Sequence, residues 1–239
     1  ITMPSVTVED DDTTAEDETE NATVTTGAGD DAVDINTTGD GTTTVSTGDG
    51  DDSVTLTSDG SGTLTVNLGA GDDSFDVAGG AVADGDVIDA GDGTDTLLLS
   101  IIGASNIGAF SNFETFDAAG LDNTLDVNIL ATNNTVTEFV SSAAVGGAAA
   151  LENVGADVGV RVTGDMDVNA LDITQAEAGS ITVTHDIDET AEADTASDAA
   201  SGNVNLTNAT SVDVVFDSTF VGEEQTAGAD NIALLELEA

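Results

Sequence analysis

One phrase recurs four times at a nearly constant interval: Gly27-Ala28-Gly29-Asp30-Asp31-Ala32-Val33, Gly48-Asp49-Gly50-Asp51-Asp52-Ser53-Val54, Gly69-Ala70-Gly71-Asp72-Asp73-Ser74-Phe75 and Gly91-Asp92-Gly93-Thr94-Asp95-Thr96-Leu97. Each reads Gly-x-Gly-x-Asp-x-apolar, and the first glycines lie 21, 21 and 22 residues apart. A fixed period of this size is the mark of stacked coils: one coil cannot bury its own apolar face, so neighbours must cover it. The repeat predicts an all-β, parallel β-solenoid (a β-roll) with about 21 residues per coil.

The rest of the coil repeats as well. Ala22–Thr26 aligns with Thr43–Thr47, Leu64–Leu68 and Asp86–Ala90. Three apolar columns result: Val24/Val45/Val66/Ile88, Val33/Val54/Phe75/Leu97 and Ile35/Leu56/Val77/Leu99. Within each strand these alternate with small or polar residues, the period of two expected of a half-buried strand. Each coil also holds a second turn, Gly39-Asp40-Gly41 and Gly60-Ser61-Gly62, which keeps the glycines but loses the Asp of the first. Asp86 restores an acid on that side in the fourth coil. One edge of the roll is therefore expected to hold metal, and the other only near Asp86.

Calcium suits this pattern. It takes six to eight oxygens, from carboxylates and carbonyls. Glycine turns the chain through positive φ and aims carbonyls inward, and the Asp supplies a charged oxygen. If each ion lies between neighbouring coils, four turns enclose about three sites.

The four phrases resemble the RTX nonapeptide, Gly-Gly-x-Gly-x-Asp-x-apolar-x, of bacterial secreted proteins that form calcium-bound parallel β-rolls. The resemblance covers Ala22–Ser100, about a third of the chain. It implies about three or more Ca²⁺ ions, with Asp31, Asp52, Asp73 and Asp95 as carboxylate ligands. It also implies Gly27, Gly29, Gly48, Gly50, Gly69, Gly71, Gly91 and Gly93 as carbonyl donors. Two features depart from the family pattern. Thr26, Thr47, Leu68 and Ala90 stand where it has its leading glycine, and alternate half-coils are longer and lack the Asp.

Charge narrows the partners. The 239 residues carry 48 Asp and Glu against one basic residue, Arg161, for a formal charge of −47. Such a chain resists compaction unless cations screen it. Nothing basic is present to meet phosphate, so nucleic acid and anionic membrane are excluded as direct partners. Divalent cations, or copies of the chain bridged by them, remain. Cysteine is absent, so no disulfide staples the fold. No apolar run approaches a membrane span, no signal peptide opens the chain, and the sequence reads as part of a longer, exported protein.

Three regions are expected: an acidic lead (1–21) containing Glu9–Asp12 and Glu16–Glu20, the roll (22–100), and a second β-rich unit (101–239). In the last, strand-like stretches fall at Phe113–Ala118, Thr124–Leu130, Thr135–Val140, Val158–Val162, Val168–Thr174, Ile181–Ile187, Val204–Leu206, Val212–Phe216 and Ile232–Leu237. They predict either an irregular solenoid or a sandwich, with one short helical connection in Ala143–Asn153. This half resembles the β-rich repeats of bacterial surface-layer proteins and large adhesins, in phrases such as Ser111–Thr115 and Leu151–Val154. The stretch Glu192–Asp198 reads as an acidic loop.

Catalysis within these residues is not expected. With one His, His185, and no Cys, neither a zinc site nor a Ser-His-Asp set can be drawn. His185 is expected at the surface, and Arg161 paired with carboxylates. The expected role is structural: a calcium-stabilised extracellular unit of a surface layer or filament, self-assembling through cation bridges. The alternative is the RTX segment of a secreted adhesin, with a cell-surface glycan as partner, or of a toxin or enzyme whose active domain lies elsewhere. An ice-binding face is a third reading. Its Thr23-x-Thr25 and Thr44-x-Ser46 array degrades to Thr65-x-Asn67 and Val87-x-Asp89.

Overall fold

The computed structural model describes residues 21–36, 40–58, 62–164, 169–186, 189–190, 204–216, 220–221 and 236–238. The acidic lead up to residue 20 and Glu192–Asp198 lie outside them. The chain divides into two compact units: residues 1–115 with 132–135, and residues 116–131 with 136–239. The described part of each is a parallel β-solenoid.

In the first unit, β1 (Ala22–Ala28), β3 (Thr42–Asp49), β5 (Thr63–Ala70), β7 (Val87–Asp92) and β9 (Phe110–Ser111) form one sheet in that order. A second sheet runs β2 (Ala32–Asn36), β4 (Ser53–Ser58), β6 (Ser74–Val77), β8 (Thr96–Leu98). Register follows the sequence period: Val24 pairs with Val45, Val45 with Val66, and Val66 with Ile88. On the other sheet Val33 pairs with Val54, Val54 with Phe75, and Phe75 with Leu97. Val45, Val54, Val66, Phe75, Ile88 and Leu97 are all buried. Stacking like on like turns alternation along each strand into a continuous core between the sheets. Phe75, Phe110 and Phe113 extend it as tilted and edge-on pairs, with ring centroids 6.3 and 6.4 Å apart.

The position that departs from the RTX pattern lies on the inner face. Thr47, Leu68 and Ala90 are buried there. The hydroxyl of Thr26 donates to the Thr47 carbonyl at 2.9 Å, and that of Thr47 to the Leu68 carbonyl at 2.6 Å. A glycine would leave this column of the core unfilled.

The second unit contains β10 (Thr115–Asp117), β11 (Thr124–Asp126), β12 (Glu138–Ser141), β13 (Ala150–Val154), β14 (Gly159–Val162), β15 (Leu171–His185), β16 (Glu189–Thr190), β17 (Val204–Phe216), β18 (Phe220–Val221) and β19 (Glu236–Glu238). β12 pairs with β14 and β11 with β13, and both ladders converge on the long β15. β17 pairs with β15 along its length. Every one of these pairings is parallel, which decides for a solenoid over a sandwich, whose sheets are antiparallel.

Two expectations about this half fail locally. The Ala-rich stretch 143–153 forms no helix: Gly146-Gly147 interrupts it, and Ala150–Val154 is β13, which buries Leu151 and Val154. The stretch Thr124–Leu130 is strand only to Asp126, then a 3₁₀ turn over Val127–Thr132.

Candidate metal centre

The repeated phrase forms the corner between β1 and β2 and its equivalents one coil on. All eight of its glycines have positive φ, from 104° at Gly91 to 157° at Gly93. Stacking adds a stricter demand than dihedral freedom. A Cβ on Gly48 would lie 1.8 Å from the Gly27 carbonyl oxygen, so the carbonyl of one coil occupies the space of the next coil's side chain. The same close approach recurs at Gly69 and Gly91, against Gly48 and Gly69.

The corner places two aspartate columns side by side. The outer one, Asp30, Asp51 and Asp72, is exposed and reaches forward along the chain. Its Oδ1 atoms accept the backbone N–H of Asp51, Asp72 and Thr94 at 3.1, 2.9 and 2.9 Å. The inner column reaches back. Asp52, Asp73 and Asp95 accept the backbone N–H of Asp31, Asp52 and Asp73 at 2.8, 2.7 and 2.8 Å. Sequence reasoning assigned the inner column and missed the outer one, though an acid preceding the motif Asp in three of four copies was a visible signal.

The inner carboxylates are deeply buried, with Asp52, Asp73 and Asp95 at 2%, 1% and 0% exposure. In each, the second oxygen, Oδ2, is buried and has no hydrogen-bond partner. A buried carboxylate with an unsatisfied oxygen is costly, and the folded protein ordinarily pairs it or protonates it. Burial pushes Asp73 and Asp95 up to about 6 from 3.8. The backbone N–H of the preceding coil pulls the other way, and nearby acids, Asp52 for Asp73 and Asp73 for Asp95, push further. No basic side chain lies in this unit to answer them: Arg161, the one basic residue, belongs to the second.

Asp86 differs. It is buried, but both its oxygens are engaged, Oδ1 with the Leu64 N–H at 2.8 Å and Oδ2 with the Ala83 N–H at 2.7 Å. It therefore closes the loop before β7 and ties it to β5. Among the described residues no three acidic or histidine side chains converge into a compact cage. A cation at the corner would take about one carboxylate per coil, with backbone carbonyls completing the oxygen shell.

The remaining candidates lie in the second unit. Arg161 Nε meets both Glu138 oxygens at 3.2 Å, and its Nη1 meets Asp186 Oδ2 at 3.1 Å, so the one cation ties carboxylates on either side of β14. His185, expected at the surface, is half-buried at the end of β15, and burial lowers its pKa. The Thr and Ser positions of the ice-binding reading align in register, Thr23 to Thr44 to Thr65 and Thr25 to Ser46 to Asn67, on the side of the sheet away from the core. Comparison with protein-family models, curated proteins and solved structures finds no match to this chain.

Proposed function

We propose that the first unit is a calcium-binding β-roll of the RTX kind. On this reading the chain is an extracellular structural unit that assembles with copies of itself through cation bridges. The observation that carries the reading is the buried Oδ2 column of Asp52, Asp73 and Asp95, unpartnered in a unit without a basic side chain. The donors suit a hard divalent cation: they are anionic, oxygen-only and held on backbone fixed by inter-coil hydrogen bonds. Asp31, Asp52, Asp73 and Asp95 would hold the ions with carbonyls of the corner glycines. The cation would supply the positive charge that lets acidic coils stack. A smaller ion that keeps its waters, such as Mg²⁺, would serve poorly. The net charge of −47 supports the assembly step, because two such chains repel unless divalent ions lie between them.

Electron microscopy of the purified chain in millimolar CaCl₂ and in chelator tests this. Sheets or filaments formed only with calcium are expected. Dispersed particles in both would overturn the assembly reading in favour of an adhesin or toxin segment. Unchanged circular dichroism and melting in chelator would overturn the calcium ladder itself.

A further inference from the structure

The inner acidic column does not stop at Asp95. The backbone N–H of Asp95 donates to Glu114 Oε2 at 3.1 Å, as the N–H of Asp73 donates to Asp95. The residue after the acid follows suit: Thr96 N–H bonds the Asp73 carbonyl, and Thr115 N–H bonds the Asp95 carbonyl. Glu114 is thus the register equivalent of Asp95 in the fifth coil, although it lies 19 residues on, inside Asn112-Phe113-Glu114, with no glycine corner. The spacing is shorter here, 19 residues against 21 or 22 in the preceding coils. One coil later the same kind of backbone bond is accepted by a neutral group, the Phe113 N–H going to Asn134 Oδ1 at 3.0 Å. The charged column therefore runs from Asp31 to Glu114 and ends there.

The last aspartate of the column, Asp95, is fully buried, and its Oδ2 has no hydrogen-bond partner. We propose that Glu114 is a cation ligand that closes the ladder, adding one calcium site, between Asp95 and Glu114, to those enclosed by the four glycine corners. This rests on the calcium reading above. It predicts that Glu114 draws its ion from the solvent together with Asp95 and is more than a cap on the Asp95 amide.

Calcium content after equilibrium dialysis, measured by atomic emission, distinguishes the possibilities. The samples are the wild-type chain, Glu114→Gln, and Glu152→Gln as an exposed acid outside the column. The Gln amide oxygen can still accept the Asp95 N–H, so the cap survives and only the charge is lost. Glu114→Gln is expected to bind one ion fewer, with Glu152→Gln unchanged. In chelator it is expected to melt no lower than wild type, because a like charge beside buried Asp95 is gone. In calcium it should gain less Tm than wild type does. Equal calcium content in wild type and Glu114→Gln would overturn this inference and leave the ladder standing. So would a Glu114→Gln chain that melts lower in chelator, which would mark Glu114 as a structural cap. No calcium on the wild-type chain would overturn the ladder and the inference together.

Discussion

The two solenoid units obey the same stacking logic with different corners. In the first, glycine corners stack backbone on backbone. The Gly27 carbonyl occupies the place of a Gly48 side chain, and buried carboxylates stitch coils 21 or 22 residues apart. In the second, coils are tied by side-chain bonds spanning 23 to 33 residues. Asn153 and Asn208 take the left-handed corner conformation, at φ 62° and 67°. Their amides reach the previous coil, Asn153 to Asp126 Oδ1 at 3.0 Å and Asn208 to the Gln175 carbonyl at 3.1 Å. Asn tolerates positive φ and brings its own hydrogen-bonding group. The contrast explains the spacing of 21 or 22 residues between the four glycine corners of the first unit; its next corner, at Asn112 with φ 63°, uses the side-chain device instead, the Asn112 amide donating to Asp89 Oδ1 at 2.7 Å. A corner that packs carbonyl against Cα admits no insertion, whereas a corner bridged by a side chain accepts coils of differing length. Among the described residues, the second unit keeps one glycine contact of the strict kind, Gly164 against the Ser142 carbonyl.

The sharpest test of this division is removal of divalent cation. Chelator should free amides of β1–β8 to exchange with solvent while β12, β14 and β15 keep their protection, because binding free energy to the folded form is stability. Hydrogen exchange read strand by strand checks this, and equal deprotection of both units would break the comparison. Next in size is the corner itself. Gly48→Ala should cost about 3 kcal/mol or more, because it adds a clash with the Gly27 carbonyl to the positive-φ penalty. Gly27→Ala has the same φ of 116° but open space around its Cβ, and should cost only about 1–2 kcal/mol. Equal losses in urea melts would mean that φ alone sets the glycine requirement.

Acidity should act on the two forms of the first unit in opposite directions. Asp73 and Asp95 are raised to about 6 from 3.8, so between those values the metal-free folded chain holds protons that the unfolded chain has released. Their contribution is fully present below about pH 3.8 and lost as pH rises through about 6, so in chelator Tm should climb as pH falls through this window. With calcium bound the same carboxylates must stay ionised, and Tm should fall over that range. Parallel slopes would mean that no ion sits on these oxygens. The smallest effect belongs to the second unit. Arg161→Gln should lower stability by about 1 kcal/mol, since the Glu138 and Asp186 bonds are partly exposed. A loss above about 3 kcal/mol would instead mark a buried ionic lock.

Much of the first unit was legible in the chain. Val24, Val45, Val66 and Ile88 recur at a constant offset, and the sheets pair them in that register. The inner Asp column was legible because its members share a five-residue phrase. Asp86 illustrates the limit: its position marked it as a second-edge ligand, but which oxygens it has left depends on Leu64 and Ala83, which only folding brings to it. In the second unit the stretches Val158–Val162, Val168–Thr174 and Ile181–Ile187 stood out by alternation, but that the last two fall on one long strand, Leu171–His185, and which strands pair with it were not legible, because coils of unequal length leave no offset to read.

Sequence alone thus determined a stacked parallel roll, its apolar columns and a corner that only glycine can turn, since strict periodicity imposes the same environment on each equivalent residue. Tertiary structure decided the rest. It made the second unit a solenoid by parallel pairing, paired Arg161 with Glu138 and Asp186, and placed Glu114 in line with Asp95. The reason is that coils are aligned by backbone hydrogen bonds across the stack. Those bonds tolerate a corner shortened by a few residues, so equivalence in space outlasts equivalence in spacing.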